Sequence, residues 1–384
     1  MSLQKRLRNS GAAFVLVAAC SGGAVAQTAV VPPAVLPAAA EPSAIASFQP
    51  DEPGQPGEPG AAQGQTAPGR TRRPPPAAYS KTGYIDSAIV GSQARFRLDL
   101  GFNNTRPDRG EFFWGKCGCY RQLALDPLAP GPAAPLAGGD PQTTPFIESS
   151  VDHVDLWFSA EYRVNQRFSG FVEGLIRSTS PQIGEGGTGV GDLTVGLKAV
   201  ILERTEEWVT FQLKTTLPTG DPVAGRSTGN TSWEPGILYL REIAERATVA
   251  GELRAHFPVG GSSDDGVAAL SGGQQGGGGY ASTVIRYGIG GSYDINPGYA
   301  VVVTPVVELV GWSAVNGYAI RSVDGTLATL AVESAERTIV NLKLGARLAW
   351  DRYPGSVYVG WGTTLTSAWW YENIVRFEYR HAFF

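Results

Sequence analysis

Side chains able to do chemistry are scarce in this chain. Its 384 residues hold 3 cysteines and 3 histidines: Cys20, Cys117 and Cys119, and His153, His256 and His381. Cys117-Gly118-Cys119 follows Phe112-Phe113-Trp114, and a C-x-C pair with no second pair of ligands is not a zinc pattern. In an oxidising compartment its expected state is a disulfide that staples one loop. Gly184-Glu185-Gly186-Gly187-Thr188-Gly189 spells the letters of a dinucleotide motif. That motif must open a helix to cradle a pyrophosphate, whereas here it leads into another strand pattern. Asp264-Asp265 and the glycine run Gly272–Gly279 read as a loop rather than a calcium site. His153 and His256 fall on one phase near one end of the strands, as isolated polar residues rather than a metal pair. No catalytic residue, metal site or cofactor is expected.

What remains is charge, and its spacing is informative. Successive side chains of a strand point to opposite faces. In Ala94–Asn103, Phe96, Leu98, Leu100 and Phe102 alternate with Arg95, Arg97 and Asp99. Val154, Leu156, Phe158, Ala160 and Tyr162 alternate with Asp155, Ser159, Glu161 and Arg163. Val340 to Trp350 and the final segment repeat the pattern. In the latter, Val375, Phe377, Tyr379 and Phe383 oppose Arg376, Glu378 and Arg380, with His381 interrupting the apolar set. Across all segments one face collects Arg95, Arg97, Arg163, Lys198, Lys214, Arg254, Arg286, Lys343, Arg347, Arg376 and Arg380. Asp99, Glu161, Glu173, Asp192, Glu252, Glu308 and Glu378 share that face. If the other face meets lipid, charge there destabilises, so this set must look into a polar lumen.

The elements that place these charges are about a dozen strands, near the range of bacterial barrels. The gaps between strands alternate. Asn104–Val151, Ser178–Thr188, Pro218–Ser232, Pro258–Gly279 and Trp312–Glu336 are long. Asn165-Gln166, Arg204–Glu206, Ala244-Glu245, Asn296–Gly298 and Asp351–Gly355 are short. An antiparallel membrane barrel has short periplasmic turns and long outer loops, whereas a soluble β-sandwich has no reason to sort them. Tyr162, Trp208, Tyr293, Tyr299, Trp350 and Tyr353 lie near the short turns. Trp233, Trp312, Trp369 and Trp370 lie near the long loops. Two aromatic girdles at the lipid headgroups are therefore expected. The fold class is all-β, an antiparallel transmembrane β-barrel of about twelve strands.

The amino terminus reads as an export signal over residues 1–26. Lys5, Arg6 and Arg8 precede an apolar run from Gly11 to Ala19, and Ala24-Val25-Ala26 forms a cleavage site. A rival reading takes Val17-Ala18-Ala19-Cys20 as a lipobox, which would leave Cys20 lipidated. Residues 27–78 are rich in Pro, Ala and Gly and lack the apolar surface to offset ordering entropy, so a disordered linker is expected. Arg70, Arg72 and Arg73 form a basic cluster in that linker, read either as solvated charge or as a contact with an anionic surface or cell-wall polymer. Residues 79–384 are assigned to the barrel. Charged residues make up 17% of the chain, below the quarter or so of soluble domains. A mean hydropathy of -0.08 with strong alternation suits a membrane barrel. A net charge of -4 points to no nucleic-acid partner.

Two resemblances add to this. A charged-and-aromatic last strand ending at Phe384 resembles the closing strand of outer-membrane barrels, and implies recognition by the barrel assembly machinery. Gly189-Val-Gly-Asp-Leu-Thr-Val-Gly-Leu-Lys-Ala199, followed by Leu217-Pro-Thr-Gly-Asp221, resembles the outer-membrane proteins named after the meta-pathway of phenol degradation. That resemblance covers Tyr162 to Phe384 and implies a barrel passing small, often aromatic or apolar, molecules. It brings no catalytic residues, and the Pro-rich extension and the Cys117/Cys119 loop depart from its pattern. Barrel phospholipases use a Ser-His-Asn arrangement, but neither His153 nor His256 stands in a His-x-Ser sequence. The expected function is passive passage of small molecules across the outer membrane, without enzymatic activity. The alternatives are an anchoring barrel whose lumen is closed by ion pairs, and a secreted β-sandwich.

Overall fold

The computed structural model describes residues 81–105, 150–182, 186–221, 224–259, 283–297, 299–316, 318–322, 329–333, 338–350, 353–367 and 369–383. Alternating β-branched and aromatic residues extend into long strands. The first six are β1 (Gln93–Asn104), β2 (Val151–Arg163), β3 (Phe168–Pro181), β4 (Gly187–Val190), β5 (Leu193–Arg204) and β6 (Glu207–Leu217). Next come β7 (Thr231–Glu242), β8 (Ala247–Val259), β9 (Val284–Tyr293) and β10 (Val301–Ala314). The last five are β11 (Tyr318–Ser322), β12 (Thr329–Glu333), β13 (Thr338–Trp350), β14 (Tyr353–Thr364) and β15 (Asn373–Ala382).

Twelve of these close into one antiparallel barrel, with β1 bonded to β15 on one side and to β2 on the other. Short β4 extends only the outer end of β3, and β11 and β12 form a separate hairpin. These three were not foreseen: β11 and β12 lie inside the long gap Trp312–Glu336, and β4 straddles the end of the gap Ser178–Thr188. The sheet's order follows the chain, so consecutive barrel strands are neighbours throughout. The seam joining the first and last strands pairs Asp99 with Arg376 on the inside and Leu98 with Phe377 beside it.

Parity decides what each face meets. Phe96, Phe158, Val172, Leu197, Leu253, Ile289, Val307, Leu344, Val359 and Phe377 are exposed on the outside. They form an apolar belt far larger than a water-soluble monomer tolerates. The opposite parity is buried and mostly polar or charged. Of the expected girdle aromatics, Tyr162, Tyr293, Tyr299, Tyr353 and Trp233 are exposed. Trp208 and Trp312 are buried instead, because each shares the inward parity of its strand: Trp208 with Thr210 and Gln212, Trp312 with Glu308.

Residues 81–92 form no strand. The sequence reading assigns them to the start of the barrel, but they run inside it, and from Thr82 to Gln93 every residue is buried.

Val307 lies at the middle of β10 and is 51% exposed. Val307→Arg should therefore cost about 2–4 kcal/mol, measured as a lowered urea midpoint of unfolding in lipid vesicles. Folded wild type should run faster on a gel unheated than boiled, and one mobility for both would contradict the barrel.

Candidate functional site

The segment 81–92 enters and leaves at the short-turn end, so it is a loop pushed up into the lumen. Lys81 pairs with Asp294, beside the turn after β9, at 2.9 Å. At the other end the Gly91 N–H donates to Glu161 on the lower end of β2 (3.4 Å), just before β1 begins. Tyr84 to Asp86 form the apex of this plug.

The apex is held by side chains of the barrel wall acting on its backbone. The N–H groups of Gly83, Tyr84 and Ile85 donate to the Glu308 carboxylate at 3.0, 2.6 and 3.3 Å. Three successive amides converging on one anion make a nest. The carbonyls are served by arginines. Arg347 donates to Thr82 O at 2.6 Å, Arg376 to Gly83 O at 3.1 Å and Arg286 to Tyr84 O at 3.1 Å. Lower down, Thr210 Oγ1 donates to Ala88 O at 2.5 Å. No backbone ladder ties the apex to a strand among the described residues.

Two plug side chains add to this. Over the Tyr84 ring lie the Arg376 guanidinium (3.9 Å) and Lys343 Nζ (4.4 Å), with Tyr358 edge-on at 6.3 Å. Such desolvated cation–π contacts contribute up to about 2 kcal/mol. The Asp86 carboxylate meets Lys214 at 2.8 Å, Arg254 at 3.2 Å and Arg95 at 3.5 Å. Below them, Ala88 and Ile89 pack on Trp208, Leu238 and Leu240.

The remaining inward charges pair across the wall. Asp99 receives both Nε and Nη2 of Arg376, at 2.7 and 2.8 Å. Arg347 and Arg380 share Glu378 at 2.7 Å, Lys198 meets Glu161 at 3.0 Å, and Arg254 and Arg286 share Glu252 at 2.7 Å. Arg95 and Lys214 both reach Glu173. Asp192 accepts from the Gly220 and Thr228 amides at 3.1 and 2.9 Å in the loop after β6. Arg97 stacks over Trp157 at 4.6 Å. Lys343 donates to Tyr371 Oη at 2.6 Å.

Of the eighteen residues expected to face the lumen, Arg163 departs. It is the last residue of β2 and is exposed, because the strand there has already passed beyond the wall's buried band. Asp155 and Arg177, paired at 2.7 Å, and Glu234, paired with Arg254 at 2.7 Å, belong to the inward set and share its parity. Tyr84 and Asp86 could not be found by parity at all. Cys117, Cys119 and residues 1–80 lie outside the described residues.

Above the plug is a vestibule of about 250 Å³. Its walls come from the outer halves of the strands and include Arg97, Trp157, Arg286, Trp312, Trp370 and Arg376; Tyr84 and Asp86 contribute from the plug. His153 and His256 also line it, and no group of side chains able to hold a metal occurs among the described residues. Beneath, between Asp86, Ser87 and the lower wall, is a cavity of about 20 Å³, room for about one water.

No protein-family model matches the chain, and no curated protein matches it. Solved structures of similar shape exist. The KdgM porin aligns at TM-score 0.36 and 10% identity, over 76% of this chain and 99% of that one. An outer membrane channel from Pseudomonas putida F1 aligns at TM-score 0.47 and 13% identity, over 79% of this chain and 99% of that one. The NanC porin aligns at TM-score 0.39 and 10% identity, over 60% and 94% of the two chains. At such identities no residue role passes between the chains. The barrel's closed ladder and apolar belt decide the location from this chain alone. The protein is an outer-membrane β-barrel.

Tyr358 fills the space left by Gly83, Gly345 and Gly360, where an added Cβ would come within 2.3, 2.3 and 2.4 Å of its ring or hydroxyl. Gly83→Val should therefore displace the plug while leaving the barrel ladder intact. Hydrogen exchange over residues 81–92 should quicken at least tenfold, with heat-modifiable gel mobility retained. Unchanged exchange would show that the plug does not depend on this packing.

Proposed function

We propose that this barrel is a channel for small molecules whose lumen is narrowed by its own segment 81–92. The observation that carries the reading is how the segment is held. Barrel side chains grip its backbone through hydrogen bonds and ion pairs, and it joins no strand ladder. A segment held in this way can leave without unzipping the wall. Its removal would open a lumen lined by paired charges, suited to polar solutes. A twelve-stranded barrel is narrower than a general porin, since diameter grows with strand number, so the solutes are small. Passage is passive and non-enzymatic in this reading.

A second reading is favoured by the same network. With Glu308, Asp86 and Tyr84 all engaged, the plug could be permanent and the barrel an anchor for the outer membrane, joined to the cell wall through residues 27–78.

Planar-bilayer recordings separate the two. The full chain should show small, intermittent conductance. Glu308→Ala leaves three buried amides without an acceptor, a loss of about 1–3 kcal/mol for each. It should raise the open fraction at least tenfold. A barrel that stays silent in both forms, while folded by gel mobility, would favour the anchor.

A further inference from the structure

The vestibule is asymmetric in how its charges are satisfied. Its carboxylates are engaged: Asp99 by two nitrogens of Arg376, Asp155 by two nitrogens of Arg177, Asp86 by Lys214 and Arg254. Some of its guanidinium groups are not. Arg97 reaches only Asp99, at 3.3 Å through Nε, and both oxygens of that carboxylate already serve Arg376. Its Nε is buried without a hydrogen bond, and its two Nη atoms have no hydrogen-bond partner among the described residues. Arg286 uses Nε on Glu252 and Nη2 on Tyr84 O, which leaves Nη1 over among the described residues. Each of these two guanidinium groups lies over an indole, Trp157 at 4.6 Å and Trp312 at 5.6 Å. Cation–π attraction to the ring uses no N–H group, so the unbonded N–H groups of each guanidinium remain for a planar acceptor.

We propose that the vestibule binds a small carboxylate anion on Arg97 and Arg286, and that its binding loosens the plug. The size fits a compact ligand, since about 250 Å³ falls just below the ~300 Å³ at which ligand pockets commonly begin. The loosening follows from shared donors. Arg286 and Arg376 both line the vestibule, and they are the donors to Tyr84 O and Gly83 O. For a guanidinium a carboxylate is a stronger acceptor than a peptide carbonyl, because that bond joins two opposite charges and can be bidentate. An anion held on the spare Nη1 that draws Arg286 toward the cavity pulls Nη2 away from Tyr84 O, and so competes with the plug for the same guanidinium. A ligand can shift an equilibrium only by its differential affinity for the two states, and this competition supplies the difference. As a binding site the vestibule stands on its own. As the trigger of a channel it rests on the proposed function.

The test uses the refolded full chain in zwitterionic micelles with butyrate, 1-butanol and butylammonium, which match in size and differ in charge. Tryptophan fluorescence and calorimetry should show saturable butyrate binding at least tenfold tighter than either control. Arg97→Gln should weaken it about tenfold, and Arg97→Lys should restore part of the loss, with folding of each variant checked by heat-modifiable mobility. Hydrogen exchange over residues 81–92 should quicken severalfold with butyrate and not with butylammonium. Absence of saturable butyrate binding by folded protein, or equal binding of butylammonium, overturns the site. Butyrate binding with unchanged exchange overturns the coupling. Neither measurement needs conductance, so a silent bilayer removes the channel reading and leaves this one to stand or fall separately.

Discussion

Every charge that period-two alternation keeps out of lipid must find a partner inside the barrel. This constraint organises the molecule. A lumen only twelve strands around brings side chains of neighbouring and next-nearest strands together, and each unpaired charge there carries a large desolvation cost. Much of the demand is met across the wall, as in Asp99 with Arg376 at the seam. Glu308 shows the limit of that solution, since no cation lies within ion-pair distance of it among the described residues. Its counterpart is a nest of three amides from the plug. The plug is thus part of the charge balance of the lumen as well as an obstacle in it.

The same constraint explains how a segment with no regular structure can be buried. Buried backbone groups must be hydrogen-bonded, and the segment 81–92 has neither helix nor ladder to satisfy its own. The wall provides what the segment lacks, with Arg347, Arg376 and Arg286 on successive carbonyls. Glycine at 83 allows the close approach to Tyr358. An ordinary apolar core could not accept this stretch of chain, whereas a charged lumen can. The charged face that makes a soluble interior improbable is what makes the plug stable.

Much of the barrel was legible because one parity rule governs every strand. Phe96 with Arg95, or Phe377 with Arg376, can be sorted from the letters alone. Loop lengths then gave each strand its direction. The errors at Trp208 and Trp312 came from reading aromatics by their distance from a turn. Their parity with Gln212 and Glu308 gives the correct inward face. Arg163 shows the converse limit, since parity says nothing about where along a strand the wall ends. The plug was illegible for a physical reason. Periodicity reports a difference between two faces, and a segment buried on all sides has none. Gly83 to Val90 also lacks the polar composition of a loop, and a short, mostly uncharged stretch between a proline-rich run and a first strand is the trace it leaves.

Holding the plug by charge rather than by a ladder sets how its stability responds to its surroundings. A strand added to the wall would be fixed by bonds that ions do not reach. Here the apex depends on Arg376 and Arg286, and both face the solvent-side vestibule as well as the plug. Any species that enters from outside meets the groups that hold the segment in place. The lower anchor is different. Ala88 and Ile89 are packed on Trp208, Leu238 and Leu240 in an apolar cluster that an ion in the vestibule does not touch. The apex is therefore the end free to yield, while the lower part stays attached to β1. In the proposed channel, opening by retreat of Tyr84 toward the short-turn end needs no strand to move, and the twelve-stranded wall can remain closed against lipid throughout.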